Sequence, residues 1–220
     1  MNRSMTDIPD TALLPDWNQL AEEVHACAVA HGWYEQAPSM TAVLTNIHAE
    51  FSEAWEAFRD HRPMLWHACG LNEADTLCTG CTTGCTQMSV KPEGIAIELA
   101  DAVLRMLDTC GFEQLDIAAA LEQMPALLCS HARAFLRQEN TNVPLADLLA
   151  YLHEVISCAH VEYRVATGKA NCNTESFFAE CILLISDYIR RHSDTTLAEC
   201  IQFKHAYNLT RPYRHGGKAV

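Results

Sequence analysis

Four acids in two evenly spaced pairs carry the clearest chemistry in the chain: Glu50 and Glu53 in IHAEFSEAWEAFR, and Glu98 and Asp101 in IAIELADAVLRMLD. Within each pair the acids are three residues apart in a stretch of helical apolar periodicity, so each pair lies on one helical face. Carboxylates facing one another across a helix pair repel unless a cation sits between them. Donors that are all oxygen select a hard cation, Mg²⁺ or Mn²⁺. The competing reading is four solvated surface acids. His48, beside the first pair, is expected to be a packed histidine and not a ligand.

A second constellation lies in residues 62–90, where the helical pattern breaks. Cys69, Cys78, Cys81 and Cys85 follow C-x8-C-x2-C-x3-C, with His67 nearby. Soft donors in a segment without its own core suit Zn²⁺, which would add folding energy there, or an iron–sulfur cluster. Plain thiols are the alternative, and the spacing lacks paired CxxC motifs.

The elements that must position these residues are helices. Ala, Leu, Glu, Ile, Met and Gln dominate long stretches with apolar residues at three and four spacing, which makes the fold class all-α. With 220 residues, 49% of them hydrophobic, and nine glycines, the chain can bury a sizeable core. A first helix is predicted over 16–31, stopped by Gly32. A second carries Val43, Leu44, Ile47, Phe51, Ala54, Trp55 and Phe58 as its core stripe and ends before Pro63. Lys91 and Pro92 lead into a third, over 93–110, which Gly111 closes. A short helix over 116–128 follows. Core packing is the expectation for Trp17, Trp33, Trp55 and Trp66, with stacking on a base the alternative.

The second half repeats the first in outline. VHACAVAHG (24–32) is similar to SHARAFLRQ (130–138), and HAEFSEAWEAFR (48–59) to HEVISCAHVEYR (153–164), at a shift of 105 or 106 residues. IAIELADAV (95–103) matches FFAECILLI (177–185). This predicts an internal duplication, with halves 1–128 and 129–220. The positions matching Glu50 and Glu53 become apolar or Cys residues between Val155 and Ala159, and Asp101 becomes Leu183. Glu180 alone survives of the four acids, so the second half is not expected to hold the metal by itself.

A net charge of −13 repels a nucleic-acid backbone, which excludes polymeric DNA or RNA as an expected partner. Residues 1–17 lack the pattern of a signal peptide, and no run reaches the ~18 apolar residues of a membrane span. The expectation is a cytoplasmic protein, with its eleven cysteines mostly reduced.

The acids, the KPEGI lead-in and the tail KHAYNLTRPYRHGGK (204–218) together resemble the MazG-like nucleoside triphosphate pyrophosphohydrolases, whose motif is ExxE followed by ExxD. The resemblance covers residues 18–62, 91–124 and 194–218. It implies an all-α bundle that uses Mg²⁺ to hydrolyse a nucleoside triphosphate, a dNTP or a non-standard NTP, to the monophosphate and pyrophosphate in nucleotide-pool housekeeping. It also implies a homo-oligomer, here a dimer of tandem chains. By motif, Glu50, Glu53, Glu98 and Asp101 become the metal ligands, and Lys204 and Asn208 phosphate contacts. Arg211 and Arg214 add phosphate-neutralising charge, the competing reading being a flexible charged terminus. One of the glutamates, or Glu56, would orient or deprotonate the water.

The chain departs from that pattern in two places. The cysteine segment lengthens the gap between the acid pairs, and the lysine, asparagine and RPYRHGG segment follow only the second copy, with Met124 standing where the first copy's lysine would be. The expectation is therefore a covalent pseudo-dimer with one composite site: acids from the first half, basic tail from the second. Two alternatives remain: a nucleotide-binding or regulatory protein that keeps the scaffold without turnover, and a metal-responsive interaction protein built on the cysteine segment.

Overall fold

The computed structural model describes residues 16–68, 91–137, 143–165 and 173–217. Among them are nine helices and one two-stranded ribbon. The helices are α1 (Trp17–Ala30), α2 (Met40–Arg59), α3 (Ile95–Glu113), α4 (Ile117–Leu127), α5 (Ser130–Arg137), α6 (Leu145–Val165), α7 (Thr174–His192), α8 (Leu197–Leu209) and α9 (Arg214–Gly217). The ribbon pairs β1 (Trp66–Ala68) antiparallel with β2 (Lys91–Glu93), in the register Trp66 to Glu93. The chain is predominantly helical, as its periodicity predicts. Cys69, Cys78, Cys81 and Cys85 lie outside the described residues.

Starts and stops follow local chemistry. Asp16 caps α1 by accepting from the backbone N–H groups of Asn18 and Gln19, Ser39 caps α2 through Ala42, and Thr196 with Glu199 forms a capping box on α8. Gly94 opens α3 at φ 115°, and a Cβ there would stand 2.6 Å from the Pro63 carbonyl oxygen. That close approach lets the Met64 carbonyl accept from Ala96 N–H at 2.9 Å, tying the start of α3 to the segment before the ribbon.

Helix α3 is the central element. Thirteen of its nineteen residues are buried, and it packs against α1, α2, α7 and α8. A helix buried on nearly every side reads as an almost continuous apolar run, as IAIELADAVLRML does. Helix α2 packs on α3 and α6, α4 crosses onto α7, and α8 crosses onto α3. One hydrophobic core runs through both halves, from Phe51, Ile97 and Leu107 to Leu152, Phe178 and Ile182.

Three expectations are corrected. Gly111 does not close the third helix; it lies inside α3, where a Cβ would come 2.5 Å from the Ala21 carbonyl oxygen, so it is a point of close approach between α1 and α3. The helix ends instead at Gln114, in the left-handed conformation. Trp55 and Phe58 are exposed and stack on each other at 5.2 Å, because the buried stripe of α2 runs through Leu44, Ile47, Phe51 and Ala54. Trp33 is not core either; it lines the cavity described next.

Candidate metal and phosphate site

The two acid pairs meet. Glu50 comes from the middle of α2, and Glu98 and Asp101 from the first turns of α3. One carboxylate oxygen from each lies within 4.8 Å of the others. Glu50 is 3% exposed and Glu98 7%, so both are held out of water by the packing of α2 on α3. Glu53, one turn along α2, is exposed and lines the same cavity at its edge, outside the cluster of three.

The cluster faces a cavity of about 440 Å³, a size in the usual range for small-molecule sites. Lys204 and Asn208 of helix α8 and Arg211 just beyond its end line the same cavity, and the loop after α1 adds Trp33 and Tyr34. First-half acids and second-half basic residues thus line one cavity.

Two cations already engage the acids. Arg105, one turn beyond Asp101 on α3, donates through Nε to Glu50 Oε1 at 2.5 Å, with its terminal nitrogen at the same distance. Lys204 is only 4% exposed and sits 3.1 Å from Asp101 Oδ2 and 3.7 Å from Glu98 Oε2. Burial pushes the Glu98 carboxyl up to about 7, with Lys204 working against the shift and Asp101 with it. Burial, aided by Asp101, raises Glu50 as well, against the pull of Arg105. At Asp101 burial also acts upward, but Lys204 and Arg105 more than offset it and hold the group below its ordinary value. Lys204 is raised: burial opposes its charge, and Asp101 and Glu98 outweigh that.

The tail residues divide. Asn208 lines the cavity with its side-chain oxygen buried and without a hydrogen-bond partner among the described residues. Arg211 also lines the cavity and helps to depress Asp101. Lys204 serves the acids directly. Arg214 is directed elsewhere: it bonds Glu35 at 3.0 Å and the Gly32 carbonyl at 3.2 Å, and Tyr213 OH donates to the same Glu35. The ring of His31 meets the Arg211 carbonyl at 3.0 Å, and Arg214 N–H donates to the His31 carbonyl. Arg214 therefore fastens the tail to the loop after α1, where Gly32 at φ 81° leaves room for the Tyr213 ring.

Arg105, Asp108 and Tyr34 are among the residues of the site that were not singled out from the sequence. The signal for the first two is spacing, since 98, 101, 105 and 108 continue one face of α3. Asp108 meets His25 Nδ1 at 2.9 Å, and the Tyr34 ring stands edge-on to His25 at 4.5 Å. Tyr34 has no comparable signature, because a loop brings it in.

The donor set fits a hard divalent cation. Three carboxylates from two rigid helices supply oxygen only, and the exposed edge of the cavity leaves water to complete the six positions such an ion favours. The described residues offer no second cluster of three metal-binding side chains. In comparisons with known proteins, no family model, no curated protein and no solved structure matches this chain.

Proposed function

We propose that the chain is a Mg²⁺-dependent nucleoside triphosphate pyrophosphohydrolase of MazG-like type, releasing the monophosphate and pyrophosphate from a dNTP or non-standard NTP. One observation carries the reading: Glu50, Glu98 and Asp101 converge at a cavity whose other wall is Asn208 and Arg211. An acidic floor with a basic wall suits a metal-bound polyphosphate, because the metal answers the acids and the wall answers the phosphates.

Glu50, Glu98 and Asp101 would hold Mg²⁺, which supplies neutralisation of the phosphate charge that otherwise repels a nucleophile. Glu53, left outside the triad, orients or deprotonates the attacking water. The water oxygen bonds to the α-phosphorus, the bond from that phosphorus to the bridging oxygen breaks, and pyrophosphate leaves. Asn208 and Arg211 hold phosphate oxygens. Lys204 keeps Asp101 ionised and so ready to ligate.

The tandem reading belongs to the same proposal. His48 and His153 are 105 residues apart, which is the duplication shift, and their Nδ1 atoms meet at 2.7 Å. Residues near a two-fold axis meet their own equivalents in this way. The reciprocal crossing of α4 onto α7 and α8 onto α3 supports the same axis. A covalent pseudo-dimer would explain how the acids of one half acquire the tail of the other.

A second reading, a nucleotide-binding or regulatory protein without turnover, is favoured by the ion pairs that already satisfy the acids. The test is a panel of canonical and modified nucleoside triphosphates with Mg²⁺ and then Mn²⁺, resolving monophosphate plus pyrophosphate from diphosphate plus phosphate. Turnover that falls at least about a hundredfold in Glu98→Ala supports the enzyme. Absence of product across the panel leaves the binding protein.

A further inference from the structure

Arg105 occupies an unusual position in the cavity. Its fixed fork of five N–H donors engages a single carboxylate oxygen, Glu50 Oε1, through both Nε and a terminal nitrogen. Its side chain remains 42% exposed, whereas the Glu50 side chain is 4% exposed. The part of the guanidinium that stays exposed stands on a wall of the cavity that Asn208 and Arg211 also line.

Charge accounting sharpens the point. Around the cavity six carboxylates face four Lys and Arg side chains, Arg211 among them, which leaves two formal negative charges for a divalent cation to cancel. A metal ligated by Glu50 draws on the carboxylate that Arg105 holds and repels the guanidinium, and arginine cannot shed its proton to relieve that. The displaced cation needs another anion within reach. Lys204 is under no such pressure to leave, being 4% exposed and shared between Glu98 and Asp101.

Building on the metal and phosphate reading of this site, we infer that Arg105 is a substrate-contacting residue that exchanges partners, pairing with Glu50 before metal binds and with a phosphate oxygen once Glu50 ligates the metal. The planar fork that now grips one carboxylate oxygen suits a phosphate edge equally well. The same group thus holds the ligand position closed to stray cations and delivers a positive charge to the polyphosphate.

The experiment compares wild type, Arg105→Ala and Arg105→Lys in two binding measurements. Mn²⁺ affinity is read by electron paramagnetic resonance without nucleotide, and inorganic tripolyphosphate affinity by calorimetry in excess Mg²⁺. Arg105→Ala is expected to bind Mn²⁺ several-fold more tightly, because its competitor at Glu50 is gone, and tripolyphosphate about tenfold more weakly. Arg105→Lys keeps the charge and loses the fork, so Mn²⁺ affinity stays near wild type while tripolyphosphate still weakens; this variant decides the matter if Arg105→Ala does not fold. Mn²⁺ affinity that falls in Arg105→Ala, or tripolyphosphate affinity unchanged in both variants, would overturn the inference. These readouts need no turnover, so a wild type that binds tripolyphosphate through Arg105 yet hydrolyses no nucleotide would sink the enzyme reading and leave this one standing.

Discussion

The seam between α2 and α3 and the seam between α6 and α7 are built from matching stretches of sequence and handle charge in opposite ways. In the first, three carboxylates converge beside an open cavity, and Arg105 and Lys204 are drawn in to hold them. In the second, Val155 and Leu183 are buried in the apolar core, and the one acid at an aligned position, Glu180, accepts a hydrogen bond from Tyr151 OH at 2.7 Å. Buried acids are costly without partners, and the apolar seam carries no such cost. The contrast separates what the scaffold requires, which is helices packed at this spacing, from what a site adds to it.

The strongest test of that contrast is Lys204→Met set beside Leu183→Met. Removing the buried ammonium strands Asp101 and Glu98, and without metal the loss should be about 3 kcal/mol, whereas the volume-conserving change at Leu183 should cost less than about 1.5 kcal/mol. Mg²⁺ should recover part of the first loss and none of the second. Equal losses in urea denaturation would break the comparison.

Next comes pH. Glu98 is pushed up to about 7, so between its ordinary value and 7 the folded protein holds a proton that the unfolded chain has released. Metal-free stability from this group is therefore lost as pH rises through that window, by up to about 3 kcal/mol. Burial lowers His48, His67, His153 and His205, and these work in the opposite sense near their ordinary value. The clean readout is wild type against Glu98→Gln: wild type should lose ground to the variant from pH 5 to pH 8. A constant gap would mean that Glu98 is not strained by its seat.

Smaller effects should follow at two further places. Gly32→Ala puts a Cβ into the Tyr213 ring at a positive φ, costing about 1–2 kcal/mol of local stability. Faster hydrogen exchange in residues 209–217, with the acid cluster's Mn²⁺ affinity preserved, would show that the tail latch and the metal seat are separable. Tyr151→Phe removes the hydroxyl that bonds both Glu180 and Cys129 Sγ and should cost about 1–2 kcal/mol in thermal unfolding, leaving Mn²⁺ binding untouched.

The helices were legible because their signals are local. Apolar spacing and Gly32 after α1 each act within a few residues, and they place α1 and α2 close to where periodicity puts them. Gly111 misled because glycine both ends helices and lets them touch, and only the presence of α1 against it selects the second use. Trp55 and Phe58 misled because they stand at helical spacing beside the buried face, which itself runs on through Ala54 to the half-buried Ala57.

At the site, the sequence by itself determined that the acids share helical faces, since three residues along an α-helix return to the same side. It also supplied the oxygen-only donor set and the basic tail. Only the tertiary structure decided that Arg105 closes on Glu50 across 55 residues of chain, that Lys204 pairs with Asp101 and Glu98, and that Arg214 latches the tail to Glu35. Periodicity describes one helix at a time. Which cation reaches which carboxylate depends on how separate helices pack, and the low dielectric of that packed interior makes each pairing count.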